Sequence, residues 1–373
     1  MKKFILFGII LVSGLQYCFS KNDVEISLLT CSSGSASYEA WGHSAIRLID
    51  ERNRIDIVYD FGRIDFNMPN FYWNFIKGKL RYGMGVQTSD NFFKNYQLEN
   101  REVIEQKLNL SDDTKIKLVK ELEYLYRPEN RFYYYDFLDK NCTTQLRDLI
   151  LSNIKTDNAK KDEPKTFRIQ LNEFLNRRQW VKFGINLILG TSVDKEVDDY
   201  ERMFLPYYLH SGLNNLRIAG NKIVISEREY NSIILSRKPL TSLLTPILVF
   251  SILLCLILII KLQRLQFPIL AIVGITGLLI LVVSILTEHQ DLKNNFNILW
   301  CNPLYLVSVI LQLGNKTRLW YYLSVALQFM IVGMIFIWMT NIQGWVLAFL
   351  PIVFLLSIYN IRAIKKGYNI LYK

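Results

Sequence analysis

The stretch that decides the fold of the N-terminal half is WGHSAIRL, residues 41–48. Apolar Ile46 and Leu48 flank polar Arg47, and this alternation predicts a half-buried strand over 44–49. The same reasoning predicts further strands over 25–30 and 55–59, and helices over 71–80, 115–126 and 143–151. Because strands and helices are mixed along this part of the chain, we expect an α+β domain.

The hydropathy of the 373-residue chain changes near residue 240. Before that point the composition is that of a soluble protein. Beyond it lie five apolar stretches, near 241–260, 267–287, 298–314, 319–339 and 344–361. Most of them are long enough to cross a hydrocarbon core of about 30 Å. The third is short, and the Asn302-Pro303 step within it is typical of a broken helix. We therefore expect an all-α bundle of five transmembrane helices at 240–373.

The N-terminus predicts on which side of the membrane the soluble part lies. Lys2 and Lys3, followed by an apolar run, are typical of a signal peptide at 1–20 that is cleaved before Lys21. The domain at 21–239 is then periplasmic and the bundle lies in a bacterial inner membrane. With five helices the basic clusters between and after the spans all face the cytoplasm, as does the C-terminus.

The net charge of +11 does not indicate a nucleic-acid partner. From residue 240 onward the chain has nine lysines and arginines but only Glu288 and Asp291 as acids. Because this excess of positive charge flanks apolar segments, it is typical of membrane topology rather than of nucleic-acid binding.

The cysteine most suited to chemistry is Cys142, which lies at the start of the predicted helix over 143–151. Asn141 or Thr143 is suited to cap that helix, and a helix N-terminus favours a thiolate. An imidazole such as His43 would lower the thiol pKa further. By spacing alone, a lone cysteine such as Cys142 is more often a buried structural residue than a nucleophile, and a disulfide to Cys31 is a further alternative. The five cysteines contain no CxxC pair, so no zinc or other metal site is predicted, and no cofactor.

Several motifs together make the sequence resemble a known family. They are LLTCS (28–32), WGHSAIR (41–47), VYDFG (58–62), GKLRY (78–82), YDF (135–137), NCTT (141–144) and Arg147-Asp148. In this order, and followed by five apolar stretches, they resemble the Lnb family, the lipoprotein N-acyltransferases of Bacteroides-type bacteria. The order of histidine before cysteine also resembles permuted papain-like folds of the NlpC/P60 or lecithin:retinol acyltransferase (LRAT) type.

The resemblance implies an enzyme whose catalytic domain is the periplasmic one. Its substrates would be a phospholipid as acyl donor and a diacylated lipoprotein as acceptor. It implies that Cys142 is the nucleophile and His43 the general base. The backbone N–H of Thr143 would then stabilise the oxyanion, with Asp60 or Asp65 orienting His43. Further candidates for substrate contact are Trp41, Tyr135 and His289.

Two other functions remain open at this stage. A cysteine peptidase or amidase acting on cell-wall peptides would need the same pair of residues, but has no evident use for five membrane helices. A non-enzymatic sensor or transporter partner would be expected to carry ionisable residues inside its membrane helices, and the apolar stretches contain almost none.

The aromatic stretch around residues 66–82 also has two interpretations. Phe66, Tyr72, Trp73 and Phe75 lie close to lysines and arginines, a composition that suits a helix seated on a bilayer surface. Ordinary core packing of an amphipathic helix would explain the same pattern.

Overall fold

The computed structural model describes residues 24–65, 67–157, 165–231, 244–259 and 265–372. The expected signal peptide at 1–20 and Phe66 therefore lie outside the described residues. The strands are β1 (Val24–Cys31), β2 (His43–Asp50), β3 (Ile55–Ile64), β4 (Arg81–Thr88), β5 (Val103–Leu108), β6 (Phe132–Tyr134), β7 (Lys165–Thr166), β8 (Glu196–Val197), β9 (Arg217–Ile218), β10 (Asn221–Lys222) and β11 (Val224–Tyr230).

Helices cover the sheet and then form the C-terminal part. They are α1 (Phe71–Lys77), α2 (Ser89–Leu98), α3 (Asp112–Tyr126), α4 (Cys142–Ser152), α5 (Phe167–Phe174), α6 (Gln179–Ile188), α7 (Asp199–Arg202), α8 (Pro206–Asn215), α9 (Pro246–Leu258), α10 (Gln266–Leu286), α11 (Leu304–Leu313), α12 (Thr317–Met339) and α13 (Leu350–Tyr372). The predicted mixture of strands and helices is confirmed, and each predicted strand and helix of the N-terminal half is present.

The N-terminal half is built on an antiparallel seven-stranded sheet in the order β11-β5-β1-β2-β3-β4-β6. Leu28, Ile46 and Tyr59 lie side by side across the three central strands and are buried. They belong to an apolar cluster that also contains buried residues of α3, α4 and α8. Because side chains alternate between the faces of a strand, the neighbouring Ala45 packs on the other face, in the cluster of Phe92 from α2. The sheet thus holds α4 against the centre of one face.

The short helix α1 does not pack into the core. None of its residues is buried, and Tyr72 is 83% exposed. The interpretation of this segment as ordinary core packing is therefore wrong. The end of α1 lies beside the start of the loop after α10, because the Lys77 carbonyl accepts the N–H of Glu288 at 2.9 Å. Lys79 forms an ion pair with Glu288 at 2.7 Å.

The C-terminal part contains four helical segments that are long and apolar enough to cross a membrane, within the described residues. They are Gln266–Leu286, Gln290–Leu313, Thr317–Met339 and Leu347–Tyr372. The helix that precedes them, α9, is apolar but shorter. The second segment is interrupted where the sequence predicts a break, and α11 begins only after Pro303. The last helix extends beyond the predicted end at 361, to Tyr372.

Amide side chains from the C-terminal part cap the end of α6. The last carbonyls of a helix have no partner within it. The Asn297 amide donates to the carbonyls of Asn186 and Leu187, at 3.0 and 3.1 Å, and the Asn295 amide donates to Leu187 at 2.8 Å. The oxygen of Asn297 accepts the indole N–H of Trp300 at 3.0 Å. A buried, satisfied polar network therefore joins the two parts of the chain.

We expect Asn297→Ala to destabilise the full chain by about 1–3 kcal/mol, because buried carbonyls and an indole N–H lose their partner. Thermal unfolding in detergent, followed by circular dichroism, measures the effect. Asn95→Ala, at an exposed position of α2, is the matched control and should unfold like the wild type. Equal unfolding temperatures for both variants would show that the network does not contribute to stability.

Candidate active site

The site is built on the first turn of α4, which begins at Cys142 and is capped by Asn141. The Asn141 side-chain oxygen accepts the N–H groups of Thr143 and Thr144 at 2.7 and 2.9 Å. In return, the Thr144 hydroxyl accepts the N–H of Asn141 at 2.8 Å. The amide of Asn141 is itself anchored to the carbonyl of Phe204 at 3.0 Å. This reciprocal cap positions Cys142 at the positive end of a helix.

The start of β2 meets this helix end. The hydroxyls of Ser44 and Thr143 are hydrogen-bonded at 3.1 Å. The backbone N–H of Ser44 and the imidazole of His43 both hydrogen-bond the Cys142 side chain. The two residues that the sequence singles out for chemistry are thus brought together, although 99 positions of the chain separate Ser44 from Thr143. Cys142 and His43 are half-buried.

Gly62 of β3 closes the site from the side. Its φ of +108° is strained for any residue with a side chain, and it lies at an irregularity between Phe61 and Arg63. A Cβ at this position would lie 3.7 Å from the Cβ of Cys142 and 3.8 Å from Cε1 of His43. Gly62 therefore faces both functional side chains with no side chain of its own between them.

The electrostatics favour a charged pair. Burial raises the pKa of the Cys142 thiol. That pKa is lowered by the charge and hydrogen bond of His43, by the Ser44 N–H and by the Thr143 hydroxyl, and the net pKa lies below the ordinary value. Burial lowers the pKa of the His43 imidazole, but Cys142 and, more weakly, the charge of Asp60 raise it above its ordinary value. Opposite shifts of this kind stabilise a thiolate–imidazolium pair.

Comparison with known proteins agrees with this architecture. The family model described as Lnb N-terminal periplasmic domain matches residues 17–173, and the one described as Lnb transmembrane domain matches residues 238–369. The chain belongs to the Lnb family. It is accordingly a membrane protein with a periplasmic domain. No curated protein and no solved structure matches the chain significantly.

Asp60 lies near the pair in this Lnb protein but is bound elsewhere. Its carboxylate accepts hydrogen bonds from Arg63 at 2.9 Å and from Gln87 at 3.2 Å. Within the described residues it has no hydrogen bond to His43, so it acts on the imidazole through its charge. Asp65, the other candidate, forms an ion pair with Arg81 instead.

One expectation about the oxyanion is wrong. The backbone N–H of Thr143 is donated to the Asn141 side chain at 2.7 Å, so it is not free to bind a developing negative charge. Thr143 contributes through its hydroxyl, which lies 3.8 Å from the sulfur of Cys142 and joins the helix to Ser44. The Asn141 cap that places Cys142 at the helix start thus occupies the Thr143 N–H, the donor that follows Cys142 in the chain.

Three tyrosines, Tyr82, Tyr133 and Tyr135, lie near enough to Cys142 for its charge to raise their pKa. Tyr135 stacks on Tyr82 with ring centroids 4.3 Å apart. Burial raises the pKa of Tyr135 and of Tyr133 well above the ordinary value, and the charge of Cys142 raises both further. The Tyr133 hydroxyl is buried and has no hydrogen-bond partner among the described residues. Of the predicted contact residues, Tyr135 therefore lies close to Cys142.

Trp41 and His289 have other neighbours. The Trp41 indole N–H donates to the Leu171 carbonyl at 3.2 Å, and its ring packs edge-on against Phe137. His289 Nδ1 lies 3.0 Å from a carboxylate oxygen of Asp136. In the described part of the chain, neither side chain has a hydrogen bond to Cys142 or His43.

Cys31 is a buried free thiol, so the alternative of a Cys31–Cys142 disulfide is wrong. Burial raises the pKa of Cys31 to about 12, against lowering contributions from Tyr96 and Arg101. This thiol therefore stays protonated, in contrast to Cys142.

Sequence reasoning missed Ser44 and Gly62 as parts of the site. Ser44 appears only as one small residue of a strand, and the positive φ of Gly62 has no local signature beyond the glycine itself. It also missed Asp136 as the partner of His289, because 153 positions of chain separate the two residues.

We expect Cys142 to be alkylated by iodoacetamide with a midpoint below the ordinary thiol pKa, because His43 stabilises its thiolate. In His43→Ala the midpoint should rise, and alkylation at neutral pH should slow by about tenfold for each unit by which the midpoint exceeds that pH. The full-length protein is alkylated at a series of pH values, and peptide mass spectrometry then measures the modified fraction of Cys142. Cys31 provides an internal comparison that should remain unmodified. Coincident midpoints for wild type and His43→Ala would contradict the charged pair.

Proposed function

We propose that this chain is a lipoprotein N-acyltransferase that uses Cys142 and His43 as its catalytic pair. The observation that carries this proposal is the half-buried thiol at the capped end of α4, hydrogen-bonded to an imidazole and attached to a membrane domain. A thiolate is a nucleophile for esters, and an adjoining membrane holds both ester donors and lipid-modified acceptors.

In the first half of the reaction the Cys142 thiolate attacks the ester carbonyl of a phospholipid. The tetrahedral intermediate collapses, the ester C–O bond breaks, and the lysophospholipid leaves with the proton held by His43. The acyl chain is then a thioester on Cys142.

In the second half the free α-amine of a diacylglyceryl-cysteine lipoprotein attacks the thioester. His43 takes a proton from the amine, the C–S bond breaks, and Cys142 leaves as a thiolate. The lipoprotein gains an amide-linked third acyl chain, and the charged pair is restored. The surrounding tyrosines limit access of water to the thioester, which favours the amine.

The developing oxyanion needs donors other than Thr143. In the described part of the chain the backbone N–H of Cys142 donates to no acceptor, and it lies at the helix start where partial positive charge is concentrated. The second donor is the Tyr133 hydroxyl, which is buried and has no partner among the residues that the structure describes. Its raised pKa keeps the proton on the oxygen, as a donor requires.

The membrane arrangement supports this chemistry. Tyr72, Trp73 and Phe75 of α1 are exposed beside the end of α10, so we propose that α1 enters the outer surface of the inner membrane. We propose that α9 belongs to a fifth span. Because the domain before α9 is periplasmic, an odd number of spans leaves the C-terminus in the cytoplasm. The periplasmic domain, with a permuted papain-like fold, then works where acyl chains are accessible.

We expect Cys142→Ala and His43→Ala to leave lipoproteins one acyl chain short, because neither variant can form and resolve the thioester. The measurement is mass spectrometry of a lipoprotein N-terminal peptide from cells that have no other N-acyltransferase. Cys31→Ala removes a thiol outside the pair and should acylate normally. Full acylation by stably expressed Cys142→Ala would end this proposal, whereas altered cell-wall peptides would favour the amidase alternative.

We expect Tyr133→Phe to reduce the acyl-transfer rate about 10²–10³-fold, the usual effect of removing one oxyanion donor. The thiolate is not stabilised by that hydroxyl, so the pH midpoint of Cys142 alkylation should hardly change. Tyr134→Phe, whose side chain is 60% exposed, is the matched control. A shift of the alkylation midpoint together with the rate would show that Tyr133 acts on the thiol rather than on the oxyanion.

A further inference from the structure

A second group of polar residues lies where the periplasmic domain meets the loop after α10. Asp136 follows β6, and His289 and Asp291 follow α10. Each residue offers one ligand atom, and these atoms all lie within 4.8 Å of one another. His289 Nδ1 and Asp136 Oδ2 lie 3.0 Å apart.

Asp291 is the residue whose burial indicates a ligand. It is only 6% exposed, and its Oδ1 has no hydrogen-bond partner among the described residues. Within the same residues, no lysine or arginine forms an ion pair with it. A buried carboxylate oxygen without a partner is destabilising, and the second carboxylate of Asp136 close by adds repulsion. One imidazolium can neutralise only one of the two acids, whereas a divalent cation with a neutral imidazole neutralises both.

We propose that Asp136, His289 and Asp291 bind one divalent metal ion of the zinc or manganese type. One imidazole nitrogen and two carboxylate oxygens form a donor set suited to these ions. Ligand bonds of about 2.0–2.2 Å at a tetrahedral angle place neighbouring donor atoms about 3.4 Å apart, so His289 Nδ1 and Asp136 Oδ2, now 3.0 Å apart, need to separate only slightly to hold the ion. The ion replaces the proton between these two atoms.

The surrounding groups hold the ligands in place. Oδ1 of Asp136 accepts the N–H groups of Leu138 and Asp139, both at 3.0 Å, which leaves Oδ2 for the ion. The imidazole of His289 packs so closely on Gly78 that a Cβ there would lie 2.3 Å from its Cδ2. The carbonyl of Asp291 accepts the N–H of Gly190 at 2.7 Å. Contacts of this kind orient ligands in metal sites.

The ion would connect the two parts of the chain close to the chemistry. Asp136 is next to Tyr135, which packs near Cys142, and lies on the segment that leads into α4. His289 and Asp291 belong to the loop that precedes the network around Asn297. The metal ion thus links the membrane part to the segment that leads into α4. It takes no part in the acyl-transfer steps proposed above.

The test is zinc binding by the full chain, purified in detergent without a polyhistidine tag. We expect one equivalent of Zn²⁺ by elemental analysis after zinc loading and dialysis, and a rise in the unfolding temperature of EDTA-stripped protein when zinc is added back. Asp291→Asn should bind zinc at least about 10–100-fold more weakly and show no such rise. In EDTA the same variant should unfold at or above the wild-type temperature, because it no longer buries an unpaired charge.

Glu288→Gln is the matched control, since this exposed neighbour lies outside the cluster and should bind zinc like the wild type. Manganese in place of zinc distinguishes the two ions by the same readouts. The proposal is overturned if wild type and Asp291→Asn hold equal metal, or if neither ion raises the wild-type unfolding temperature. Because no acyl substrate is present, such a result would leave the acyltransferase proposal untouched.

Discussion

The contact between the first turn of α4 and the start of β2 is the constraint on which the candidate site depends. Asn141 accepts two of the free N–H groups of the helix, those of Thr143 and Thr144. The Thr143 hydroxyl bonds Ser44, and the Ser44 N–H reaches the sulfur of Cys142. Each of these bonds is worth about 0.5–1.5 kcal/mol at most. Together they set the position of a thiol to within hydrogen-bonding reach of His43. A shift of β2 by one residue would turn His43 to the other face of the sheet.

The same contact explains why the pair is chemically useful. The sulfur is half-buried, and burial alone would disfavour its charged form. The imidazole, the strand N–H and the helix end reverse that preference. For Cys31 the lowering contributions of Tyr96 and Arg101 do not outweigh burial, so that thiol keeps its proton. Two thiols of one domain are thus given opposite character by what surrounds them.

The membrane part is held to the periplasmic domain by hydrogen bonds between buried polar groups. Each of these groups finds its partner on the other side of the junction. The end of α6 is one example. The backbone N–H of Gly190 is another, because it donates to the Asp291 carbonyl at 2.7 Å. Since buried polar groups without partners are strongly destabilising, this junction tolerates few alternative arrangements. The loop carrying His289 is therefore held in a defined position beside Asp136.

The sequence by itself determined the strands around 44–49, the helix that starts after Asn141, its cap and the apolar spans. These follow from side-chain periodicity and from hydrogen bonds between residues a few positions apart, which any local segment carries with it. The family resemblance added the pairing of His43 with Cys142. Only the tertiary structure decided that the Thr143 N–H is already donated, that Trp41 packs against Phe137, and that α1 is exposed. It alone brought His289 and Asp291 to Asp136. Such contacts depend on the path of the whole chain in space, and no local pattern records which distant residue will satisfy a given donor or charge.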